Sequence, residues 1–231
     1  MAVLTLLDAA KMNGNDPLVP LIEEALPSNP EAQILPFRTI AGTSFKSLIR
    51  TANPTIAFRA ANEGTTPVKS TYANKLFELF YLDGQLQIDK AVASGVDRGV
   101  EFAQGTEASG AVTGALTTLG KQVWYGIGGG GDAKGFPGAT EVVDSSLVVD
   151  ATGSTAATGS SVYFIVALPG FMEMISGNNM VLRLNQWREQ TVIDSSGKNM
   201  SAYVNSLEGW IGAAFYNKYA IVKIKNLTED S

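Results

Sequence analysis

The feature that most limits the possible folds is a pair of extended segments on either side of a polar turn. Residues 43–58 have the apolar and β-branched content of a strand but include Pro54, which cannot donate a ladder hydrogen bond, so this strand should be bent or lie at a sheet edge. A polar stretch at 59–67 and a second extended run at 68–88 follow. Together they predict a long two-stranded ribbon. Because an isolated hairpin is only marginally stable in water, the ribbon needs a surface to lie on, and another subunit is an obvious candidate.

The ribbon is also the basic part of an acidic chain. Residues 38–75 hold six basic residues and one acidic residue, in a chain whose net charge is −5. Residues 1–37 hold one base against five acids, and residues 76–231 hold ten against sixteen. A basic segment can bind nucleic acid, or it can lie across acidic surfaces of neighbouring copies. Aromatic residues that could stack on bases are few in this segment, which favours contact with neighbouring copies.

The chain contains no cysteine and no histidine. Their absence excludes disulfides, thiolate nucleophiles, Ser-His-Asp triads and zinc sites built on either residue. The adjacent acidic pairs are Glu23–Glu24 and Glu229–Asp230, and neighbouring side chains on a helix do not share a face, so neither pair suits acid–base catalysis. The sequence therefore predicts no catalytic residue, no metal site and no cofactor. It makes an enzyme less expected, and enzymes that use only carboxylates, lysine or tyrosine remain open.

Charged residues make up 17% of the chain, below the roughly 25% of an average globular domain, and there are 24 glycines. This composition fits a subunit that buries part of its surface in an assembly, and equally a β-rich domain with many turns. No run approaches the roughly 18 apolar residues of a membrane helix, and the N-terminus lacks the basic region and cleavage site of a signal peptide. We therefore expect no membrane partner and a protein that stays in the cytoplasm where it is made.

Residues 97–125 fit a long helix, because a series from Ala103 to Val123 steps at four-residue spacing and is apolar except at Glu107. Four glycines interrupt it: Gly105, Gly110, Gly114 and Gly120. Each weakens a helix by about 1 kcal/mol relative to alanine, so their presence suggests close approach of another backbone. The following loop at 126–131 satisfies G-x-G-x-x-G. In a dinucleotide-binding fold this motif follows a strand and opens a helix, whereas here it follows the helix and leads into a turn, which favours a flexible connector.

The remaining chain is rich in strand signals. Asp83–Gly84 interrupts the second extended run and fits either a tight turn or, as we prefer, a bulge in a continuing strand. A hairpin is predicted at 191–200, and residues 219–227 alternate like a strand. Residues 203–215 have helical spacing, yet their β-branched and aromatic content also permits a strand. Two further predictions are a short helix at 18–26, between prolines, and a surface loop at 151–161.

Four stretches, in this order and spacing, resemble the major capsid proteins of tailed bacteriophages with the Hong-Kong-97-type fold, near the podovirus-type major capsid group. Phe58–Gly64 resembles an Arg-x-x-Asn-Glu-Gly segment at the tip of that group's extended loop, and Asp83–Lys90 is similar to its Gly-x-x-x-Val-Asp-Arg/Lys run. Residues 97–138 resemble its spine helix and the turn that follows, and Tyr219–Leu227 is similar to its closing Val-x-Arg-Ile-x-Asn strand. The likeness spans nearly the whole chain; Ala139 departs from it, since relatives place leucine there.

The resemblance implies an α+β, Hong-Kong-97-like phage capsid fold with an N-terminal arm, an extended β-hairpin loop, a peripheral domain with a long spine helix, and an axial domain. It also makes 203–215 mostly strand. The implied bounds are 1–42 for the N-terminal arm, 43–84 for the extended loop, 85–138 for the peripheral domain with the spine helix, 139–218 for the axial domain, and 219–231 for a terminal strand that returns to the peripheral domain.

The implied function is that of a major capsid protein in the virion, which self-assembles into hexamers and pentamers of an icosahedral shell around double-stranded DNA. A scaffolding protein, a portal and non-specifically contacted DNA are the implied partners besides the chain itself. The candidate inter-subunit contacts are Lys46, Arg50, Arg59, Glu63 and Lys69. Some relatives cross-link a loop lysine to an asparagine of a neighbour, and Lys69 has the matching position, although non-covalent contact is the favoured interpretation. The alternatives are an encapsulin-type shell that encloses protein cargo, and a nucleotide-binding enzyme that uses the glycine-rich loop.

Overall fold

The computed structural model describes residues 3–14, 29–151, 159–179 and 182–227. The helices are α1 Leu6–Met12, α2 Glu31–Ile34, α3 Lys90–Ser94, α4 Val100–Tyr125 and α5 Ala139–Val142, with short 3-10 turns at Ser145–Leu147 and Lys218–Ala220. The strands are β1 Phe37–Thr39, β2 Ser44–Ala52, β3 Thr71–Glu78, β4 Phe80–Asp89, β5 Val148–Asp150, β6 Ser160–Ile165, β7 Met172–Ser176, β8 Arg183–Leu184, β9 Arg188–Ile193, β10 Asn199–Phe215 and β11 Ile221–Leu227. The predicted helix at 18–26 and most of the predicted loop at 151–161 lie outside the described residues.

The largest sheet is organised around β10. Along one edge, β10 pairs with β4 in antiparallel register from Ala202↔Asp89 to Ile211↔Phe80. Along its other edge it pairs in turn with β9, β8 and β7, and β1 adds to β7 in parallel. Residues 203–215 are therefore strand, as the family pattern predicts and against their helical spacing. The reason is burial between neighbouring strands, which tertiary pairing imposes regardless of the local period.

The hairpin predicted at 191–200 is confirmed as the connection between β9 and β10. Its turn is stabilised by Asp194, whose carboxylate accepts hydrogen bonds from the backbone N–H groups of Ser196 and Lys198, both at 2.8 Å. Gly197 has a φ of +82°, in the left-handed region that glycine adopts without strain. Turn chemistry alone was sufficient to locate this element.

The predicted terminal strand is confirmed as β11. It pairs in parallel with β5 and antiparallel with β6, in a separate three-stranded sheet. Its partners thus come from within residues 139–218, the segment expected to be axial, whereas β10, from the same segment, pairs with β4. The division of the chain into arm, loop, peripheral and axial parts remains a prediction.

The helix predicted at 97–125 is observed as α4, whose 26 residues make it the longest described element. It begins after Gly99 (φ +88°) and ends at Gly126 (φ +62°), whose N–H donates to the carbonyl of Gln122. Among the described residues of this chain, nothing lies within 4 Å of a Cβ added at the helix positions 105, 110 or 114, so the chain's own described backbone does not account for these three glycines. Gly120 differs, since a Cβ there would lie 3.1 Å from Asn29 Oδ1.

Two expectations about the second extended run are wrong. The run is two strands rather than one, because β3 ends at Glu78 and β4 begins at Phe80, and the two belong to different sheets. Asp83–Gly84 is neither a turn nor a bulge: Asp83 pairs with Glu208 and Gly84 with Leu207, without a shift of register. The long partner β10 imposes an uninterrupted ladder that the local signal could not reveal. Strand β2 ends at Ala52, before Pro54, so the strand does not bend at the proline. Its only described strand partner is β3, so the alternative prediction of an edge strand is confirmed.

The main core lies where the C-terminal end of α4 packs against the large sheet and the three-stranded sheet. Its buried members include Val123 from α4, Met172 and Ile211 from the large sheet, and Ile221 from β11. A smaller cluster holds α1 against α3 and the start of α4 through Ala9, Val92 and Ala103. Among the described residues, no helix combines the length and apolar character needed to span a membrane.

Candidate inter-subunit surface

Strands β2 and β3 form a two-stranded ribbon that shares no sheet with the rest of the described chain. Residues directly opposite one another share a face in antiparallel pairing, so the register gives the ribbon two distinct faces. The inner face begins with the pair Phe45↔Phe77, at the base of the ribbon. The outer face carries Lys46↔Leu76, Leu48↔Asn74 and Arg50↔Tyr72.

The outer face and the tip of the ribbon expose apolar side chains to a degree that is unusual for a folded chain. Phe58 is fully exposed and Ile56 is 84% exposed, while Leu48 is 68% exposed. Val68, Tyr72 and Leu76 are each exposed by about half. Full burial of one large apolar side chain is worth about 1.5–3 kcal/mol, so this surface favours coverage by another apolar surface.

The structure sorts the six basic residues of 38–75 into two groups. Arg38 and Lys75 bind to the chain's own body: Arg38 Nε donates to Glu173 Oε2 at 3.0 Å, and Lys75 Nζ donates to the carbonyl of Phe215 at 2.8 Å. The other four are exposed on the ribbon and form no ion pair with any residue in the described ranges. They are the four candidate contact cations: Lys46, Arg50, Arg59 and Lys69.

Two of these candidates are fixed by contacts within the ribbon. The Arg50 guanidinium carbon lies 5.6 Å from the centroid of the Tyr72 ring, its cross-strand partner. Hydrogen bonds from Ser70 and Arg50 lower the pKa of the Tyr72 hydroxyl below its ordinary value. At the tip, Arg59 Nη1 donates to the carbonyl of Glu63 at 2.5 Å. Arg50 and Arg59 are thus held in place while their charge stays exposed.

Glu63, the one acidic candidate, closes the turn at the tip. Its backbone N–H donates to the carbonyl of Ala60, and its carboxylate accepts from the N–H of Ala60 at 3.2 Å. Asn62 adopts a left-handed conformation with φ +68°, which asparagine tolerates better than most residues. The structure therefore brings Arg59 and Glu63 together in a compact turn, and it gives Glu63 a structural role that the sequence did not reveal.

The base of the ribbon is attached to the body by an aromatic cluster. Phe45 and Phe77 stack with ring centroids 5.2 Å apart, and the ring of Tyr216, from the body, lies 5.0 Å from Phe77. The guanidinium of Arg38 lies 4.9 Å above the Phe45 ring. Burial raises the pKa of the Tyr216 hydroxyl, whose oxygen accepts a 2.6 Å hydrogen bond from Arg38 Nη2.

Beyond its base the ribbon leaves the body. An open groove of about 970 Å³ separates the ribbon, represented by Ile49 and Thr51, from the body at Val142, Asn217 and Tyr219. The ribbon is therefore a projecting arm that is held at one end. The described residues of the body give it little support along the rest of its length, and an isolated hairpin is only marginally stable in water.

The glycine-rich loop is occupied by the chain's own carboxylate. Glu141 accepts hydrogen bonds from the backbone N–H groups of Ile127 at 3.0 Å, Gly128 at 2.6 Å and Gly138 at 3.1 Å. These are the groups that a phosphate would need. The loop also follows the long helix α4, as predicted, rather than a strand. This geometry gives no support to the nucleotide-binding alternative.

Gln122 explains why glycines are required further along this loop. Its buried side chain accepts from the N–H of Asp132 at 2.6 Å and donates to the carbonyl of Phe136 at 2.6 Å. A Cβ at Gly131 or Gly135 would lie within 2.6 Å of the Gln122 amide. The glycines thus make room for a buried structural amide. Nowhere in the described ranges do three or more potential acidic metal ligands cluster.

Residues 33–231 match the family described as "Major capsid protein GP7". The chain belongs to this major capsid protein family. No curated protein sequence matches the capsid protein. As a member of this family, the capsid protein builds phage shells, its copies self-assemble, and it is located in the virion, as the sequence resemblance predicted.

Solved structures agree with this family at the level of the fold. The capsid protein matches a chain of bacteriophage Epsilon15 with a TM-score of 0.72 and 18% identity, over 100% of its own length and 72% of that chain. It matches the capsid of Myoviridae phage XM1 with a TM-score of 0.58 and 10% identity, over 95% and 98% of the two chains. The predicted α+β, Hong-Kong-97-like fold is confirmed.

A cellular shell protein also shares the fold. The SrpI encapsulin of Synechococcus elongatus matches with a TM-score of 0.61 and 7% identity, over 98% of the capsid protein and 96% of that chain. A likeness at this identity concerns the fold alone. It does not favour the encapsulin alternative, whereas the family match identifies a phage capsid protein.

The sequence did not reveal the residues that attach the ribbon. Glu173 and Tyr216 lie 135 and 178 positions from Arg38, and no local motif marks either of them. One signal was available, because a lone glutamate inside the apolar run Phe171–Ile175 needs a cationic partner when that run is buried. That signal identifies Glu173 but not its partner.

Proposed function

We propose that this capsid protein forms the hexamers and pentamers of an icosahedral shell around double-stranded DNA, and that its ribbon lies across a neighbouring subunit. The observation that carries the second part is the ribbon itself: a projecting hairpin with exposed apolar and cationic side chains, separated from its own body by a groove. Subunit interfaces that are permanent commonly bury 2,000 Å² or more, and a projecting hairpin can provide such area without enlarging the subunit.

The proposed partner surface belongs to another copy of the same chain. The ribbon segment has a strong excess of basic residues, whereas residues 76–231 have an excess of acidic residues. Contact between copies therefore joins opposite charges, which directs association and fixes its orientation. A contact in which different surfaces of identical subunits meet is heterologous, and repetition of such a contact closes into rings when the rotation permits.

Lys46, Arg50, Arg59, Glu63 and Lys69 are proposed as contact residues within this interface. Lys46 and Arg50 lie on the outer face of the ribbon, Arg59 and Glu63 at its tip, and Lys69 just before β3. We propose non-covalent contact for Lys69. The apolar side chains Leu48, Ile56 and Phe58 would supply most of the buried area, with the cations around them.

Charge reversal tests this proposal. Arg50→Glu and Arg59→Glu should each reduce the yield of closed shells in negative-stain electron microscopy and sedimentation, while circular dichroism of the unassembled subunit stays unchanged. Lys198→Glu, in the exposed turn between β9 and β10, makes the same charge change away from the ribbon and should leave assembly intact. Normal shells from both arginine variants would refute the role of the ribbon.

The other partners belong to the same proposal. We propose that assembly takes place in the host cytoplasm with a scaffolding protein and a portal, and that packaged DNA is contacted without sequence preference. We also propose a structural role without catalysis or a cofactor, supported by the absence of cysteine and histidine from the sequence and by membership of a capsid family. Shells purified from infected cells should contain DNA rather than a protein cargo.

A further inference from the structure

The direction in which the ribbon projects is set where it meets the body. Three backbone contacts surround this junction: the N–H of Leu79 donates to Thr43, that of Asn178 donates to Gly42, and that of Ile40 donates to Ser176. The first bond joins the two ends of the ribbon to each other, and the other two hold residues 40–42 against the end of β7. Side chains packed across this junction can further limit rotation of β2 and β3.

Arg38 contacts both the ribbon and the body. Its guanidinium donates from Nε to Glu173 Oε2 on β7 and from Nη2 to the Tyr216 hydroxyl after β10, while its plane lies over the ring of Phe45 on β2. A planar guanidinium has donors at fixed angles, so it can satisfy two acceptors and a ring face in only one orientation. Both hydrogen bonds lie within the body, because Arg38 is on β1, which pairs with β7, so they fix the guanidinium against which Phe45 packs. Rotation of the ribbon would move Phe45 away from it.

Glu173 keeps Arg38 in the orientation that meets the ribbon. Its side chain is 8% exposed, and Arg38 is its ion-pair partner. A buried carboxylate that loses its partner is strongly unfavourable, because neither water nor another charge replaces it. Lys75 adds a second connection from β3, since its Nζ donates to Phe215 and lies 5.3 Å from the Phe77 ring.

From these contacts we infer that Arg38, Glu173 and Tyr216 form a clamp that fixes the direction of the ribbon and so positions its contact surface for the neighbouring subunit. The clamp's effect on assembly rests on the proposed function of the ribbon. Its effect on ribbon direction does not, because the clamp lies wholly within one chain.

The absence of cysteine from the sequence permits a direct measurement. Thr65→Cys at the ribbon tip and Ser195→Cys in the β9–β10 turn, both exposed, would carry spin labels. Pulsed electron–electron double resonance on labelled protein diluted into unlabelled protein then gives the distance between ribbon and body. Tyr216→Phe keeps the ring and removes the hydroxyl that accepts from Arg38. Arg38→Lys keeps the positive charge but loses the planar guanidinium that donates to both acceptors.

The matched control is Tyr81→Phe. Tyr216 donates its hydroxyl to Glu173 Oε2 at 3.4 Å, and Tyr81 likewise donates to a carboxylate, Glu208 Oε2 at 2.7 Å, on the same sheet but outside the Arg38–Glu173–Tyr216 hydrogen bonds. The expected result is a single narrow distance peak in the parent and in Tyr81→Phe, and a broadened or shifted peak in Tyr216→Phe and Arg38→Lys. A narrow, unshifted peak in both clamp variants would overturn the inference.

Assembly of the same variants separates the clamp from the proposed function. A broadened distance peak together with shells of mixed diameter supports both. A broadened peak with normal shells supports the clamp and refutes the role of the ribbon in assembly. Since Tyr216→Phe removes one oxygen from a half-buried ring, it provides a folded variant even if Arg38→Lys does not fold.

Discussion

Glu141 Oε1 lies 2.6 Å from the backbone nitrogen of Gly128, so a carboxylate that follows the glycine-rich loop closes the loop's beginning. The other carboxylate oxygen accepts from Ile127 and Gly138. The end of α4 and the start of α5 are thereby held together by one side chain. Much of the local order at this connection depends on the charge of that side chain.

The first prediction concerns pH. The three backbone hydrogen bonds, first among them that of Ile127, lower the pKa of Glu141 below its ordinary 4.5. A depressed pKa means that the carboxylate contributes stability above pH 4.5, and that this contribution is lost as the pH falls through the lower folded-state value. Glu141→Gln should therefore lower the Tm at pH 7. In this variant the Tm should also decrease less than in the parent as the pH is lowered below 5. Identical pH profiles of Tm for the variant and the parent would contradict this account.

The second prediction concerns Gln122. Gln122→Leu removes three hydrogen bonds to Asp132 and Phe136, and it leaves the buried carbonyl of Phe136 and the N–H of Asp132 without their side-chain partner. The cost should be about 1–3 kcal/mol per unsatisfied group, measured as a lower urea midpoint. Gln104→Leu makes the same change on the same helix, away from the loop, and should alter the midpoint little. Equal effects of the two variants would refute the proposed role of Gln122.

The third prediction uses two glycines of α4. Gly114→Ala should stabilise the unassembled subunit by up to about 1 kcal/mol, because alanine favours the helix and its methyl group meets nothing within 4 Å. Gly120→Ala should gain less or lose stability, since its methyl group would lie 3.1 Å from Asn29 Oδ1. Thermal unfolding of both variants is the measurement, and a reversed order would contradict the packing described for α4.

The fourth prediction contrasts two phenylalanines of the ribbon. Phe58→Ala should change the free energy of unfolding of the subunit by no more than about 0.5 kcal/mol, because the side chain is fully exposed, yet it should reduce shell yield. Phe77→Ala, at the 7% exposed base, should cost about 3–5 kcal/mol in the subunit itself. A large loss of subunit stability in Phe58→Ala would mean that the tip packs on its own chain.

The sequence predicted the elements whose signals are local. The long helix α4 follows from its periodicity, and the β9–β10 hairpin follows from Asp194 and Gly197. The ribbon was predicted from two extended runs around a polar turn. Its cationic character was predicted from the number of basic residues in that segment. In the helix and the hairpin, the interactions that decide the structure lie within a few residues of one another, whereas the ribbon joins strands up to 34 positions apart.

What the sequence could not predict depends on distant partners. Asp83–Gly84 has the local signal of a turn, but Glu208 and Leu207, more than 120 positions away, hold it in a straight ladder. The change at Leu79 from the ribbon to the large sheet also depends on a distant partner, because β4 pairs with β10. Arg38 was counted as one of the six bases of residues 38–75, whereas in the structure it forms an ion pair with Glu173 on β7. Single-chain patterns carry no signal for such pairs.

The single residue between β3 and β4 has a mechanical consequence. Leu79 is all that separates the ribbon from a strand held by ten consecutive pairs to β10. In a particle under internal pressure, a pull on the ribbon would reach the large sheet with almost no slack. The ribbon and the large sheet would then bear the load together, and strain at a subunit contact would be transmitted directly into the body of the subunit.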